Sequence, residues 1–308
     1  MIDAVTALLP TSAHVLIGPG DDAAVLAASD GRVVVTTDML VESVHFRRDW
    51  SSAYDIGRKA AAQNLADVVA MGARPTALVL AFAAPPDLPL RWATDLARGM
   101  ANECARVGAV VAGGDMARAD VVVLSVTALG DLEGRAPVRR SGARPGDLVL
   151  LAGGVGSAAA GLALLESSDA RLIEQFADLV AAHRSPSPSY ESGLALAELG
   201  ATAMIDVSDG LSSELHHLAR ASGVAIAIDD VVPAARLSAA GAALGADARE
   251  WVLHGGEDHA ILATVPPELT NAAAVWTTCI GVVGTGEGVT MAGEPLTARG
   301  WDHFRGRA

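Results

Sequence analysis

The sequence predicts an α/β (α+β) chain of two domains, on three observations. Short β-branched runs alternate with longer alanine- and leucine-rich runs along all 308 residues. That length is more than one hydrophobic core ordinarily serves. In "EGRAPVRRSGARPGD", residues 133–147, periodicity stops while Gly, Pro and Arg cluster. The boundary is expected there, giving domains over residues 1–137 and 138–308.

In the first domain, strands are expected over 14–17, 32–37, 76–82, 109–112 and 121–129. A helix over 55–71 opens at Asp55 and stops at Gly72, with Pro75 beyond. A second helix, 89–107, follows "PPDLP" and stops at Gly108. The second domain restarts with strand 148–152, then "GGVGSAAAGLALLE". Helices near 171–183 and 190–199, strand 202–206, helix 210–222 and strand 224–228 follow. "HGGEDHAILATV" and "WTTCIGVVG" supply further strands.

The net charge of −14 argues against a nucleic-acid or anionic-membrane partner. Cys104 and Cys279 stand alone without a CxxC, which suits a reducing compartment. "MIDAVTALLP" has no basic leader pattern, and apolar runs such as "TALVLAFAAPP" are too short to span a bilayer. A soluble, cytoplasmic protein is expected.

The chemistry concentrates in acids that close apolar runs. "LIGPGDDAAVL" carries Asp21 and Asp22, "VVVTTD" ends at Asp38, "VVAGGD" ends at Asp115, and "AMIDVSDG" holds Asp206 and Asp209. Each alone is ordinary turn chemistry. Together they place acids at the carboxyl ends of several strands, where α/β sheets bind ligands. Asp67 lies in "IGRKAAAQNLADVVAMG", apolar on nearly every face, and shares a face with Asn64. A carboxylate there needs a positive partner. Arg58 or Lys59 is one reading, and a metal shared with the strand-end acids is the other. Carboxylates and the hydroxyls of Thr36, Thr37 and Ser208, without a Cys/His cluster, suit Mg²⁺ rather than zinc. Bound Mg²⁺ would let an acidic protein hold a polyphosphate.

Two phosphate-binding patterns are excluded. No GxxxxGK[ST] is present, and the single lysine, Lys59, does not fit the protein-kinase pattern. "GGVGSAAAG" lacks the GxGxxG spacing of a dinucleotide site, and close backbone approach explains its glycines better.

"GPGDDAAVL", "TTDMLVESVHF", "NLADVVAMGA", "GGD", "RRSGARPGD", "DVSDGL" and "GGEDHAIL" occur in that order along nearly the whole chain. The chain thereby resembles the thiamine-monophosphate kinases, within the aminoimidazole ribonucleotide synthetase-like (PurM-like) superfamily. The resemblance implies a two-domain PurM-like fold and a homodimer joined through its amino-terminal sheets, with an outer carboxyl-terminal α/β domain. It implies transfer of the γ-phosphoryl group of ATP to thiamine monophosphate, assisted by several Mg²⁺ ions, with no dedicated general base. It implies metal ligation by Asp22, Thr36, Thr37, Asp38, Asp67, Asp115, Asp206 and Asp209. ATP would meet Gly114, Asp115, Arg140 and Ser208, and thiamine phosphate would meet His45, Glu257 and Trp301.

On residues alone, His45 also reads as a half-buried strand histidine, Arg140 as part of a solvated linker patch, and Trp301 as a tail anchor. Departures from the commonest family pattern are His259 and Ala260 in place of Tyr and Glu, Ser43 in place of Gly, and Met116 in place of Thr. Rival readings are another ATP-dependent enzyme of the superfamily, or a noncatalytic Mg-nucleotide-binding module.

Overall fold

The β-branched runs of the first half pair into sheets. The computed structural model describes residues 8, 10, 12–17 and 25–300. The chain divides into two compact units, Met1–Val69 with Ala73–Pro137, and Ala70–Gly72 with Val138–Ala308.

The first unit carries a short ribbon, β1 (Val15–Ile17) with β2 (Val25–Leu26). Its main sheet comprises β3 (Val34–Val41), β4 (Arg74–Ala84), β5 (Val110–Arg118) and β6 (Val123–Asp131), ordered β3-β6-β4-β5. Only β4 and β5 run parallel. A parallel pair needs a crossover, which helix α2 (Leu90–Ala105) supplies, while α1 (Ala53–Ala70) links β3 to β4. Along β6, Leu124, Val126 and Ala128 are buried, and Ser125, Thr127 and Leu129 are half-buried. That period of two marks a sheet with one covered face.

Helix α1 is buried on nearly every side, as its composition requires. It crosses α2 at a contact only glycine permits. A Cβ on Gly57 would lie 2.1 Å from Leu96 O, and one on Gly99 2.0 Å from Tyr54 O. The charges of α1 are drawn into this packing. Arg58 reaches the buried Glu103 at 2.7 Å, and Arg106 holds the same carboxylate at 2.5 Å. Lys59, 2% exposed, donates to His45 O at 3.0 Å.

The second unit is built on a seven-stranded sheet. Its strands are β7 (Leu148–Ala152), β8 (Ala203–Val207), β9 (Ala225–Ile228), β10 (Ala260–Val265), β11 (Thr278–Gly284), β12 (Gly288–Met291) and β13 (Glu294–Pro295). They are ordered β13-β12-β9-β11-β7-β10-β8, antiparallel except β12 with β9. Its principal helices are α3 (Ser157–Ser167), α4 (Ala170–Gln175), α5 (Ala177–Arg184), α6 (Tyr190–Leu199), α7 (Leu211–Ser222), α8 (Ala235–Leu244) and α9 (Ala248–His254). Leu211, Leu215 and Leu218 of α7 share a core with Ile205, Val207 and Ile226.

Three differences from expectation have physical causes. Strand β3 runs on to Val41 because β6 pairs with it throughout, Asp38 opposite Val126 and Leu40 opposite Leu124. The helix expected over 171–183 breaks at the buried Phe176, whose φ and ψ of −112° and 37° leave the helical region. Helices α8 and α9 occupy a run rich in Ala and Gly, where apolar periodicity is weak. Among the described residues, no helix is long and apolar enough to cross a membrane.

Candidate active site

In the first unit the expected ligands occupy two faces of one sheet. Thr36 Oγ1 donates to Asp67 Oδ2 at 2.8 Å, and the Asp38 amide donates to Asn64 Oδ1 at 3.1 Å. Asn64 and Asp67 thus both turn from α1 toward β3, as their spacing implies. Thr37 points the other way, by strand alternation. Its hydroxyl donates to Val126 O at 3.0 Å and accepts from Thr127 Oγ1 at 3.1 Å. Asp38 and Asp115 were expected at strand ends, but the sheet places both inside strands.

The register also separates these acids. Asp38, Val126, Leu80 and Gly114 form one line of partners across the sheet. Gly114 therefore lies three strand spacings from Asp38, roughly 14 Å. A Cβ on it would lie 2.1 Å from Leu80 O, so glycine is required at this close strand approach. Asp115, exposed, falls in register with Ala81 and Ser125 on the sheet face away from the helices. His45 follows β3, half-buried, with Nδ1 accepting the Val41 amide at 3.0 Å. Asp22 and Trp301 lie outside the described residues.

In the second unit the acids converge. Asp206 on β8 is 3% exposed, and His259 Nδ1 lies 3.1 Å from its Oδ2. Ser208 O accepts the Glu257 amide at 2.7 Å, tying the "SDG" turn to the "GGED" turn. The Asp209 amide donates to Glu214 Oε1 at 3.2 Å. Glu257 takes a left-handed φ of +70°, and its Oε2 lies 3.3 Å from His183 Nδ1. Burial pushes the Glu214 carboxyl up to about 8, with repulsion from Asp206 and Asp209 adding to it. Arg140, exposed, acts in the opposite direction on Glu214 through its charge.

The glycine loop "GGVGS" has a protein partner. Asp258 accepts the amides of Gly156 at 2.6 Å and Ala158 at 2.8 Å, so its carboxylate occupies the start of α3. An anion position of the kind helix N-termini offer is thereby filled from within the chain. Gly161 completes the account, since a Cβ there would lie 2.1 Å from Leu179 O.

Glu214 and His183 were not anticipated. Glu214 had a legible signal, because it falls on the apolar stripe of Leu211, Leu215 and Leu218, where a carboxylate is out of place. His183 had none, since its partner Glu257 is remote in sequence. Among the described residues, no group of three or more His, Cys, Asp or Glu side chains could hold a metal ion. The donor chemistry nevertheless fits a hard cation, for Thr36, Asp38, Asp67, Asp206, Ser208 and Asp209 offer oxygen alone.

Residues 20–132, which hold the first unit's main sheet, match the family model "AIR synthase related protein, N-terminal domain". The chain is 50% identical to a thiamine-monophosphate kinase of Mycobacterium tuberculosis, over 95% of this chain and 87% of that protein. It belongs to the thiamine-monophosphate kinase family. A crystal structure of thiamine-monophosphate kinase from Stenotrophomonas maltophilia superposes with a TM-score of 0.85 at 32% identity, covering 96% of each chain. A structure described as AaThiL complexed with AMPPCP and TMP superposes with a TM-score of 0.82 at 32% identity, covering 88% of this chain and 87% of that one.

Proposed function

We propose that this chain transfers the γ-phosphoryl group of ATP to the phosphate of thiamine monophosphate, giving thiamine diphosphate, with Mg²⁺ required. The observation that carries the reading is its 50% identity, across 95% of its length, to a thiamine-monophosphate kinase. The acid-rich turns support the metal requirement.

Joining two phosphate groups brings like charges together, so neutralisation and alignment dominate the problem. The acceptor phosphate is already an anionic nucleophile near neutral pH, and a strong general base is dispensable. Asp38 and Asp67 with Thr36 in the first unit, and Asp206 and Asp209 in the second, would hold Mg²⁺. The same assignment includes Asp22, Asp115 and an oxygen of Thr37. When bound, Mg²⁺ supplies the positive charge that offsets the developing negative charge on the transferred group.

The chain's own groups prepare these ligands. Thr36 fixes one oxygen of Asp67, and His259 fixes one oxygen of Asp206. Asn64 holds the β3 backbone at Asp38. Gly114, Arg140 and Ser208 would contact ATP, Arg140 meeting phosphate through its guanidinium. His45, Glu257 and Trp301 would contact thiamine phosphate.

Homodimerisation belongs to the same proposal, with residues 1–137 as the dimerisation and nucleotide-binding domain and 138–308 completing the site. Its support is the face of the first sheet away from the helices, where Val35 is 64% and Met39 54% exposed. Exposed apolar side chains in a strand row suit a second copy of the same sheet. A cytoplasmic location suits such a biosynthetic role.

The test is incubation with thiamine monophosphate, ATP and Mg²⁺, with products identified by mass spectrometry. Thiamine diphosphate and ADP are expected, and EDTA should abolish both. ATP binding without thiamine diphosphate formation would overturn the reading.

A further inference from the structure

Residues 296–300 run back along α7 to the "SDG" turn. The Leu296 amide donates to Val289 O at 2.9 Å, and the Leu296 carbonyl accepts His216 Nε2–H at 2.7 Å. Ser212 Oγ donates to Arg299 O at 2.7 Å and accepts the Arg299 amide at 3.3 Å. Ser212 and His216 stand four apart on α7, so one helix face grips the segment at two points. Arg299 also forks onto Glu250 of α9, with contacts of 2.8 and 3.4 Å.

Ser212 is fully buried, and its hydroxyl is fully used. A carbonyl only accepts, so the hydroxyl hydrogen goes to Arg299 O. The oxygen lone pairs take the Arg299 amide and His254 Nδ1–H, the latter at 2.8 Å. With Glu250 Oε1 4.0 Å from His254 Nε2, the three side chains resemble a nucleophilic relay. A buried hydroxyl spent on a backbone carbonyl attacks nothing. Its work is to hold the segment, which ends against a ligand-bearing turn. A Cβ on Gly300 would lie 2.6 Å from Asp209 O and 3.2 Å from Ser213 Cβ. A Cβ on Gly210 would lie 2.8 Å from the His254 carbonyl carbon, so the end of α9 meets the same turn.

We propose that residues 296–300 form a strap that sets the Asp209 turn for its metal ion, with Ser212, Arg299 and Gly300 as positioning residues. The inference rests on the functional reading above, in which Asp209 holds Mg²⁺, and extends it to groups that act through the Asp209 backbone. Mg²⁺ demands near-ideal octahedral geometry at short distances, so a small displacement of a ligand-bearing turn weakens its hold. Close backbone contact at Gly300 removes room for that displacement. The Arg299–Glu250 pair is about half exposed, with side chains 57% and 49% accessible. An exposed pair adds little to global stability, so breaking it loosens the strap and leaves the fold in place.

Two routes disturb the strap in the full chain. Gly300→Ala presses a methyl group on the Asp209 carbonyl, and Glu250→Arg sets two guanidinium groups face to face. Mn²⁺ affinity is read from the paramagnetic resonance of the free ion, with AMPPCP present. Gly300→Ala is expected to weaken it about tenfold or more, the scale for residues that orient metal ligands. The Mg²⁺ concentration giving half-maximal turnover should rise with it. Glu250→Arg should move both in the same direction, and Glu250→Arg/Arg299→Glu should restore them. Deuterium exchange at the Asp209 amide should quicken in both single variants and recover in the double. Wild-type exchange and Mn²⁺ affinity in both single variants would overturn the proposal, as would a double variant no better than Glu250→Arg. If Gly300→Ala fails to fold, the exposed ion-pair variants decide. A wild-type protein that forms no thiamine diphosphate would sink the functional reading instead, and exchange at the turn would still decide the strap.

Discussion

Thr36 and Asp67 are joined by a hydrogen bond of 2.8 Å that ties strand β3 to helix α1. Asparagine at position 67 keeps an oxygen for the Thr36 hydroxyl while an uncharged NH2 group replaces the second carboxylate oxygen. Asp67→Asn is therefore expected to fold normally, with Tm shifted by no more than about 4 °C, a change of roughly 1 kcal/mol or less. Its kcat should fall by about a hundredfold or more, the scale seen when one electrostatic contact to a transition state is removed. Thermal melts and steady-state kinetics on the same preparation check both halves. Wild-type turnover would refute the assignment of Asp67 to the metal.

Ser43 stands where the commonest family pattern has Gly, and its φ is +69°. A left-handed residue with a Cβ costs about 1–2 kcal/mol. Glycine removes that strain and gives back roughly 0.5–1 kcal/mol through the greater freedom of the unfolded chain. Ser43→Gly is thus expected to raise stability by about 0.5–1 kcal/mol in urea unfolding. A lower unfolding midpoint at unchanged slope would show that the strain is absent.

Asp258 gives a pH dependence with a definite sign. Burial raises its carboxyl from 3.8 to about 6, with Glu257 adding to the rise, against the lowering effect of the Ala158 and Gly156 amides and of His259. The folded chain then holds a proton that the unfolded chain has released between those two values. This group's contribution to stability is fully present below about pH 4 and declines as pH rises toward 6, by on the order of 2 kcal/mol. Urea unfolding of the wild type and Asp258→Asn between pH 4 and 7 isolates the effect. The wild type should lose stability relative to the variant across that window, and parallel curves would refute the shift.

Much of this was legible because it is local. Strand 148–152 lies on the apolar run "LVLLA", helix 190–199 lies where expected and is closed by Gly200, and the Asn64–Asp67 face is a matter of helix spacing. The family pattern was legible for the same reason, since its motifs are contiguous turns. Long-range pairing was not. Asp38 looks terminal in sequence because two threonines and an acid interrupt an apolar run, yet β6 continues the ladder past it. Likewise, Asp258 reads as one more acid of "GGED" until Gly156, 102 residues earlier in the chain, is found donating to it. The pairing of His183 with Glu257 and of His259 with Asp206 depends on how α5, β8 and the start of β10 pack, which no periodicity encodes.

Lys59 is the chain's single lysine, 2% exposed and bound to a carbonyl. Reagents that acylate side-chain amines accordingly have no surface target on the native chain. Modification at this position becomes a clock for the opening of α1, readable by mass on a single peptide. Material tethered or dye-labelled through its lysine would be drawn from molecules that had come apart first.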